Sequence, residues 1–368
     1  YLTNYDKIIE NFEVENRKYQ ENKNIYVSTK GTSLGDGSNE NPLDLDTAID
    51  FVLLGQKIIV KEGHYVRNKP LVISKYNDGT DKKMKSLIGE KGKEVVIDFN
   101  KTSEGVIHSG NYWHIYNIEF KSSAPNTKGY TLGGSNNIIE LCKFYENGDT
   151  GLQISRTDIA ATNKEWPSNN LILNCTSFDN RDPAENNADG FAAKLTSGTG
   201  NIFDGCIAHN NIDDGWDLYT KLGTGAIGAV IIRNSVAYNN GYLQGNTAGS
   251  SAGDGNGFKL GGEGIKVEHL IENSVAFGNT ADGFTSNSNP GVKAKNNISF
   301  NNFRNISFAT YGDIKPEFFI ENFISFHKDN DLKSIDDFIY KENENKTNYI
   351  FKNGNSINSF GVQLSKEF

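Results

Sequence analysis

From about residue 87 onward, apolar runs of three or four residues alternate with polar turns, and no stretch there keeps the spacing of a long helix. Two phrases recur within this pattern. One joins a polar residue, a glycine and a large apolar residue: Asp189-Gly190-Phe191, Asp214-Gly215-Trp216, Asn256-Gly257-Phe258 and Asp282-Gly283-Phe284, with Thr150-Gly151-Leu152 as a weaker copy. The other, Asn-x-x-[Ala/Ser]-aromatic, starts at Asn174, Asn234, Asn273, Asn296 and Asn322, and Gly205 to His209 fill the slot after the first. Its last residues stand at 178, 209, 238, 277, 300 and 326, spaced by 31, 29, 39, 23 and 26. A basic turn of about 22–30 residues, with one insertion between 238 and 277, marks a solenoid. Two or three short strands per turn and no crossover helix force each strand to stack in parallel on the next turn. The pattern therefore predicts an all-β, right-handed parallel β-helix. The recurring Asn is expected at a bend, each side-chain amide bonding the ones above and below.

The ends depart from the repeat. Residues 1–23 are charged, with Tyr5, Ile8, Ile9 and Phe12 near helical spacing, and read as a peripheral helix or ordered tail. Residues 25–30 and 58–60 read as strands, and Lys61 to Tyr65 as an exit turn. Asp46 to Leu53 between them reads as a short amphipathic helix, N-capped by Asp44 or Asp46, that shields one end of the stack. The β-helix is thus expected over 24–330, and 331–368 as an irregular C-terminal cap or lateral arm.

Composition sharpens this picture at three points. The 48 asparagines disfavour helix interiors and suit repeated corners. A net charge of −9 argues against nucleic acid as a partner, and no apolar run reaches the length of a membrane span. A chain that begins with Tyr reads as trimmed of any leader, and a monomer is expected. Three cysteines do not make a disulfide framework. Cys175 and Cys206 fall in one slot of adjacent coils, where stacked strands lie ~4.8 Å apart, wider than the ~3.8 Å a disulfide wants between Cβ atoms. Free buried thiols are expected there and at Cys142.

Aligning the glycine phrases converts spacing into proximity. Asp189, Asp214, Asn256 and Asp282 make one column; Gln153, Ala192, Asp217, Lys259 and Thr285 make the next useful one. Phe191, Trp216 and Phe258 should face the core, so Asp217 and Lys259, one residue on, should face outward. Asp213 adds a carboxylate at the turn entering that strand. Two like charges ~5 Å apart cost about 0.8 kcal/mol in water and ~3 kcal/mol at an effective dielectric of 20, so such a cluster needs protons or a cation. Oxygen-only ligands of high charge point to Ca2+. On the residues alone, solvated turn aspartates remain the alternative. His209, in the aromatic slot, reads as a packed core histidine.

NADGFAAKLTSGTGN, NNIDDGWDLYTK and GNGFKLGG resemble the central coils of the family 9 polysaccharide lyases, a pectate-lyase group built on a parallel β-helix, and the likeness extends to about residue 305. The resemblance implies a catalytic Ca2+ held by Asp189, Asp213, Asp214 and Asp217, with Lys259 as the Brønsted base. It implies an acidic, galacturonate-containing polysaccharide as substrate, cleaved by β-elimination, and hence a secreted or periplasmic protein; a lysine base of ordinary pKa ~10.4, lowered only in part by Ca2+ against Asp217, predicts an alkaline optimum. Arg156, Lys194 and Lys221 are candidate substrate-binding cations. Two other readings stay open: a glycoside hydrolase using Asp213, Asp214 and Asp217 as acid and base, and a non-catalytic glycan-binding β-helix.

Overall fold

Strands of only two to five residues leave one or two side chains each for the interior, so the core is built of columns. The computed structural model describes residues 17–246, 252–328, 334–340 and 345–364. Among these, three strands per coil stack into parallel sheets of eleven, ten and ten strands. The first runs from Ile25–Val27 to Phe319–Glu321, the second from Gly63–Val66 to Ile324–Phe326, and the third from Leu71–Ile73 through Arg304–Phe308 to Phe338–Ile339. The parallel β-helix expected from the phrase spacing is the fold observed.

Inward columns complement one another in volume. In the first sheet Ile172, Phe203, Ile232 and Ile271 stack in register, fully buried. The third sheet contributes Phe191, Trp216, Phe258 and Phe284, whose successive ring centroids lie 4.8–5.0 Å apart. Opposite these large rings the second sheet carries only Ala208, Ala237 and Ala276, because a close-packed interior has room for one bulky column there. The small residue of the Asn phrase and the large residue of the glycine phrase are therefore two halves of one packing solution.

The aromatic that ends each Asn phrase points the other way. Phe178, His209, Tyr238, Phe277, Phe300 and Phe326 form an external stack with centroids 4.7–5.1 Å apart and rings within 8° of parallel. His209 is thus packed, but on the outer face and not in the core: Ala208 takes the inward position, and alternation sends its neighbour out.

Each expected Asn bend has a left-handed backbone, with φ of 51–55° from Asn174 to Asn322. The exposed amides of Asn322, Asn296, Asn273 and Asn234 bond one to the next at 2.8–3.4 Å. A second ladder, fully buried and unforeseen, runs at the next corner through Asn147, Asn180, Asn211, Asn240, Asn279 and Asn302, with amide-to-amide bonds of 2.8–3.0 Å. It satisfies backbone groups that no strand pairs, as burial requires.

At the N-terminal end, the helix Leu45–Phe51 is capped by Asp44, whose carboxylate accepts from Thr47 N. Residues 63–66 are a strand of the second sheet and not the tail of an exit turn, since Gly63 to Val66 pair with Val95 to Asp98. Of the proposed N-terminal helix, residues 1–16 lie outside the described residues; Tyr19 packs on Phe51, and Gln56 Nε2 bonds the carbonyls of Tyr19, Gln20 and Lys23. After the last full coil, Phe338–Ile339 extends the third sheet and the hairpin Ile350–Lys352/Asn355–Ile357 follows. Cys142, Cys175 and Cys206 are buried free thiols.

Candidate active site

The glycine of the recurring phrase is required by space. A Cβ on Gly215 would stand 2.6 Å from Gly257 O and 2.9 Å from Asn240 Nδ2; on Gly257, 2.5 Å from Gly283 O and 2.9 Å from Asn279 Nδ2. The phrase therefore lies directly against the buried Asn ladder, which fixes where the residues on either side of the glycine project. Trp216 pairs with Phe191 and Phe258, so Asp217 pairs with Ala192 and Lys259. The outward column read from the sequence, Gln153 through Thr285, is the observed register.

Asp189, Asp214 and Asp217 are brought together, with one carboxylate oxygen of each within 4.8 Å of the others. Asp213 falls instead into an adjoining group with Asp214 and Asp254. Asp189 and Asp214 are fully buried, and Asp213 and Asp217 nearly so. Lys194, beyond the strand Phe191–Ala193, turns back into the nest, its Nζ 2.7 Å from Asp189 Oδ2 and 2.9 Å from Asp217 Oδ2. Lys259 Nζ lies 3.1 Å from Asp214 Oδ2 and 2.8 Å from Asp254 Oδ2.

Asp254 was not anticipated. It ends the insertion located by the irregular phrase spacing, which leaves the coil at Gly241 and rejoins it at Gly255. Both glycines have left-handed backbones, φ 96° and 73°, and a Cβ on Gly255 would stand 2.8 Å from Gly241 Cα. The two ends of the insertion thus meet, and the second brings in Asp254, whose N–H donates to Asp213 Oδ1 at 2.7 Å. No spacing rule could have found a residue carried in by a loop.

Burial dominates the electrostatics. It pushes the Asp189 carboxyl up to about 7, against the Lys194 ammonium and with help from Asp217 and Asp214. It pushes Asp214 up to about 6 against Lys259, and Asp213, beside Asp214 and Asp189, up to about 9. Burial works against the Lys194 and Lys259 ammonium groups too, but the carboxylates around each outweigh it and hold both above the usual lysine range. Asp189 Oδ1 and Asp217 Oδ1 are buried without a hydrogen-bond donor among the described residues, and Asp214 Oδ2 has only the Lys259 ammonium, without hydrogen-bond geometry. One unpartnered oxygen on each of three aspartates whose carboxylates lie this close is a donor set that fits a hard, oxygen-seeking cation.

The other candidates lie at the rim. Lys221 is exposed, in a turn closed by its bridge to Gly225. Arg156 follows the strand Leu152–Ile154, three coils before Lys259 or ~14 Å along the axis, and its Nη1 donates to Ala161 O at 3.0 Å. Among the described residues, no helix is long and apolar enough to cross a membrane.

A three-sided parallel β-helix bearing a buried carboxylate nest with two lysines is the class of molecule these features define. Residues 25–330 match the family model described as Pel9A-like, right handed beta helix region. The chain belongs to that family, which bears out the family 9 lyase resemblance. It is 56% identical over 369 residues to pectate lyase L of Thermoclostridium stercorarium, covering all of this chain but 29% of that protein. It is 40% identical to pectate lyase L of Paenibacillus polymyxa strain SC2, over 93% of this chain and 75% of that one. The crystal structure of pectate lyase Pel9A superposes with a TM-score of 0.73 at 27% identity, over 94% of this chain and 88% of that chain. The chain therefore spans under a third of the Thermoclostridium protein's length.

Proposed function

We propose that this chain is a calcium-dependent pectate lyase domain that cleaves a galacturonate-containing polysaccharide by β-elimination. The observation that carries the reading is the placement of Lys259 in register with Asp217 and within reach of Asp214, on the outward face of the third sheet. Asp189, Asp214 and Asp217, with Asp213 alongside, would hold Ca2+. When bound, the ion would supply positive charge against the uronate carboxylate as electron density builds on it.

The residues of the chain do the rest. Lys259 takes the C5 proton of the uronate; the released electron pair becomes the C4–C5 double bond, and the glycosidic oxygen leaves C4 and is protonated from solvent. No water is added to the broken bond. A base must first be neutral, and Asp214 and Asp254 oppose this by stabilising the ammonium. The amine is therefore released only when their negative charge is otherwise engaged, and the rate should rise with pH. Lys194 keeps Asp189 and Asp217 side by side, and Lys221 stands at the rim within the substrate's path. A polymeric substrate of this kind places the protein outside the cell or in the periplasm.

Incubation with polygalacturonate, followed by ultraviolet absorbance with and without a calcium chelator, tests the reading. A chelator-sensitive rise in absorbance is expected. New reducing ends without absorbance would mean hydrolysis, and silence across a panel of uronides would mean a binding protein.

A further inference from the structure

Along the exit edge of the third sheet, turn length varies. The turns 109–112 and 133–137 are short, whereas 74–84 and 155–170 are long. A polar cavity of about 280 Å³ lies among them, lined in part by Ser109, Thr157, Asp78 and Arg156. Its lining residues follow strands three to six coils ahead of Lys259, ~14–29 Å along the axis at ~4.8 Å per coil, a distance that one polysaccharide chain lying along the sheet would span.

Charge decides what such a cavity accepts. Asp78, Asp158 and Glu165 line it with Lys75 and Arg156, and the Lys85 ammonium, behind the lining, lies close enough to Asp78 for their charges to interact. Lys75 Nζ is engaged by Asp158 at 3.3 Å and Glu165 at 3.8 Å, and Arg156 donates to Ala161 O. Lys85 donates to Asn77 Oδ1, so each cation at the cavity is already engaged and none is free to take a uronate carboxylate. At the cavity's edge the Tyr76 ring is 81% exposed. Its backbone has φ 74°, uncommon for a bulky residue and retained only where the surroundings enforce it. The turn is pinned by the next residue: Asn77 O accepts from Trp113 Nε1 at 2.6 Å, and Asn77 Nδ2 donates to Ile49 O at 2.8 Å. The Lys75 ammonium stands over one side of this ring, 5.6 Å from its centre; the other side, wet and beside hydroxyl and carboxylate acceptors, suits the C–H face and hydroxyls of a pyranose.

We infer that this cavity is a distal substrate subsite for an uncharged sugar residue, an inference that rests on the lyase reading above. The residue could be an esterified uronate or a neutral sugar. The test compares wild type with Tyr76→Ala on de-esterified polygalacturonate, on partly methyl-esterified pectin, and on a polymer alternating uronate with neutral sugar, all of matched length. The ratio of kcat/KM on a mixed polymer to that on polygalacturonate should fall about fivefold in Tyr76→Ala, and the polymer that shows the fall identifies the source. An unchanged ratio on both overturns the inference. Calorimetric titration of Lys259→Ala protein with hexasaccharides of each type reads the subsite without turnover. Adding Tyr76→Ala should weaken binding of one mixed hexasaccharide at least threefold, and equal affinities overturn the subsite. A wild type that cleaves no uronide sinks the lyase reading instead, and the titration still decides the subsite.

Discussion

An ammonium between two buried carboxylates matters most through what its removal would strand. Lys194→Met would leave Asp189 and Asp217 buried, facing each other and uncompensated. Breaking a buried pair in this way costs ~3–5 kcal/mol. The variant is expected to unfold at lower denaturant in chelator. Calcium should raise its melting midpoint by more than it raises that of the wild type, because a cation can replace the lost charge; equal calcium shifts in the two proteins would refute the shared nest. Lys259 is a different case. Lys259→Ala should lower the lyase rate by a factor of ~10²–10⁴, the range for loss of a positioned base, while calcium still shifts the melting midpoint. Full turnover by that variant would remove Lys259 from the chemistry.

At the scale of the strand and its turn, the glycine phrase is a spacer between the carboxylate nest and the buried Asn ladder. Gly215→Ala places a methyl 2.6 Å from Gly257 O, and backbone cannot yield as a flexible side chain would. The coil must shift, carrying Asp214 and Asp217 with it. A stability loss of ~1–3 kcal/mol is expected from overpacking, together with weaker calcium binding by calorimetry. Gly223→Ala, with nothing within 4 Å, should change neither. This element also shows what could be read in advance. The column containing Asp217 and Lys259 was legible because pairing in a solenoid copies sequence register into space. The inner Asn ladder was equally periodic, each member two residues beyond the phrase aromatic, but corners are written in side-chain chemistry that strand alternation does not capture. His209 was misplaced because an aromatic slot suggests a core, whereas here the small residue before it faces in. Asp254 was out of reach, since a loop owes its landing point to no period.

For the molecule as a whole, stacking short strands into three long sheets buries groups that would otherwise titrate in mild acid. His108 and His269 are completely buried, and burial pushes both down to about 3. His108 Nδ1 is bonded to the Tyr130 hydroxyl at 2.6 Å, and His269 Nδ1 accepts from Val230 N at 3.1 Å. Neither has a place in the proposed chemistry, so they report on the fold alone. The unfolded chain takes up their protons near the ordinary histidine value of ~6.5, whereas the folded chain refuses them until about pH 3. Between those limits the unfolded state binds more protons, so this contribution is complete above pH ~6.5 and is lost as pH falls toward 3. Asp337 has the opposite sign: burial raises it to about 7, so the folded state holds the extra proton and its contribution falls as pH rises from the ordinary carboxylate range toward 7. A total pH profile would mix the two, and a difference between proteins separates them. His269→Gln keeps an acceptor for Val230 N and does not titrate. Going from pH 6.5 to 4.5, the wild type should lose about 2–3 kcal/mol more stability than this variant, two units at ~1.4 kcal/mol each. Urea midpoints measured in chelator at each pH would show it, and parallel profiles for the two proteins would mean that His269 opens to water before the coil stack does.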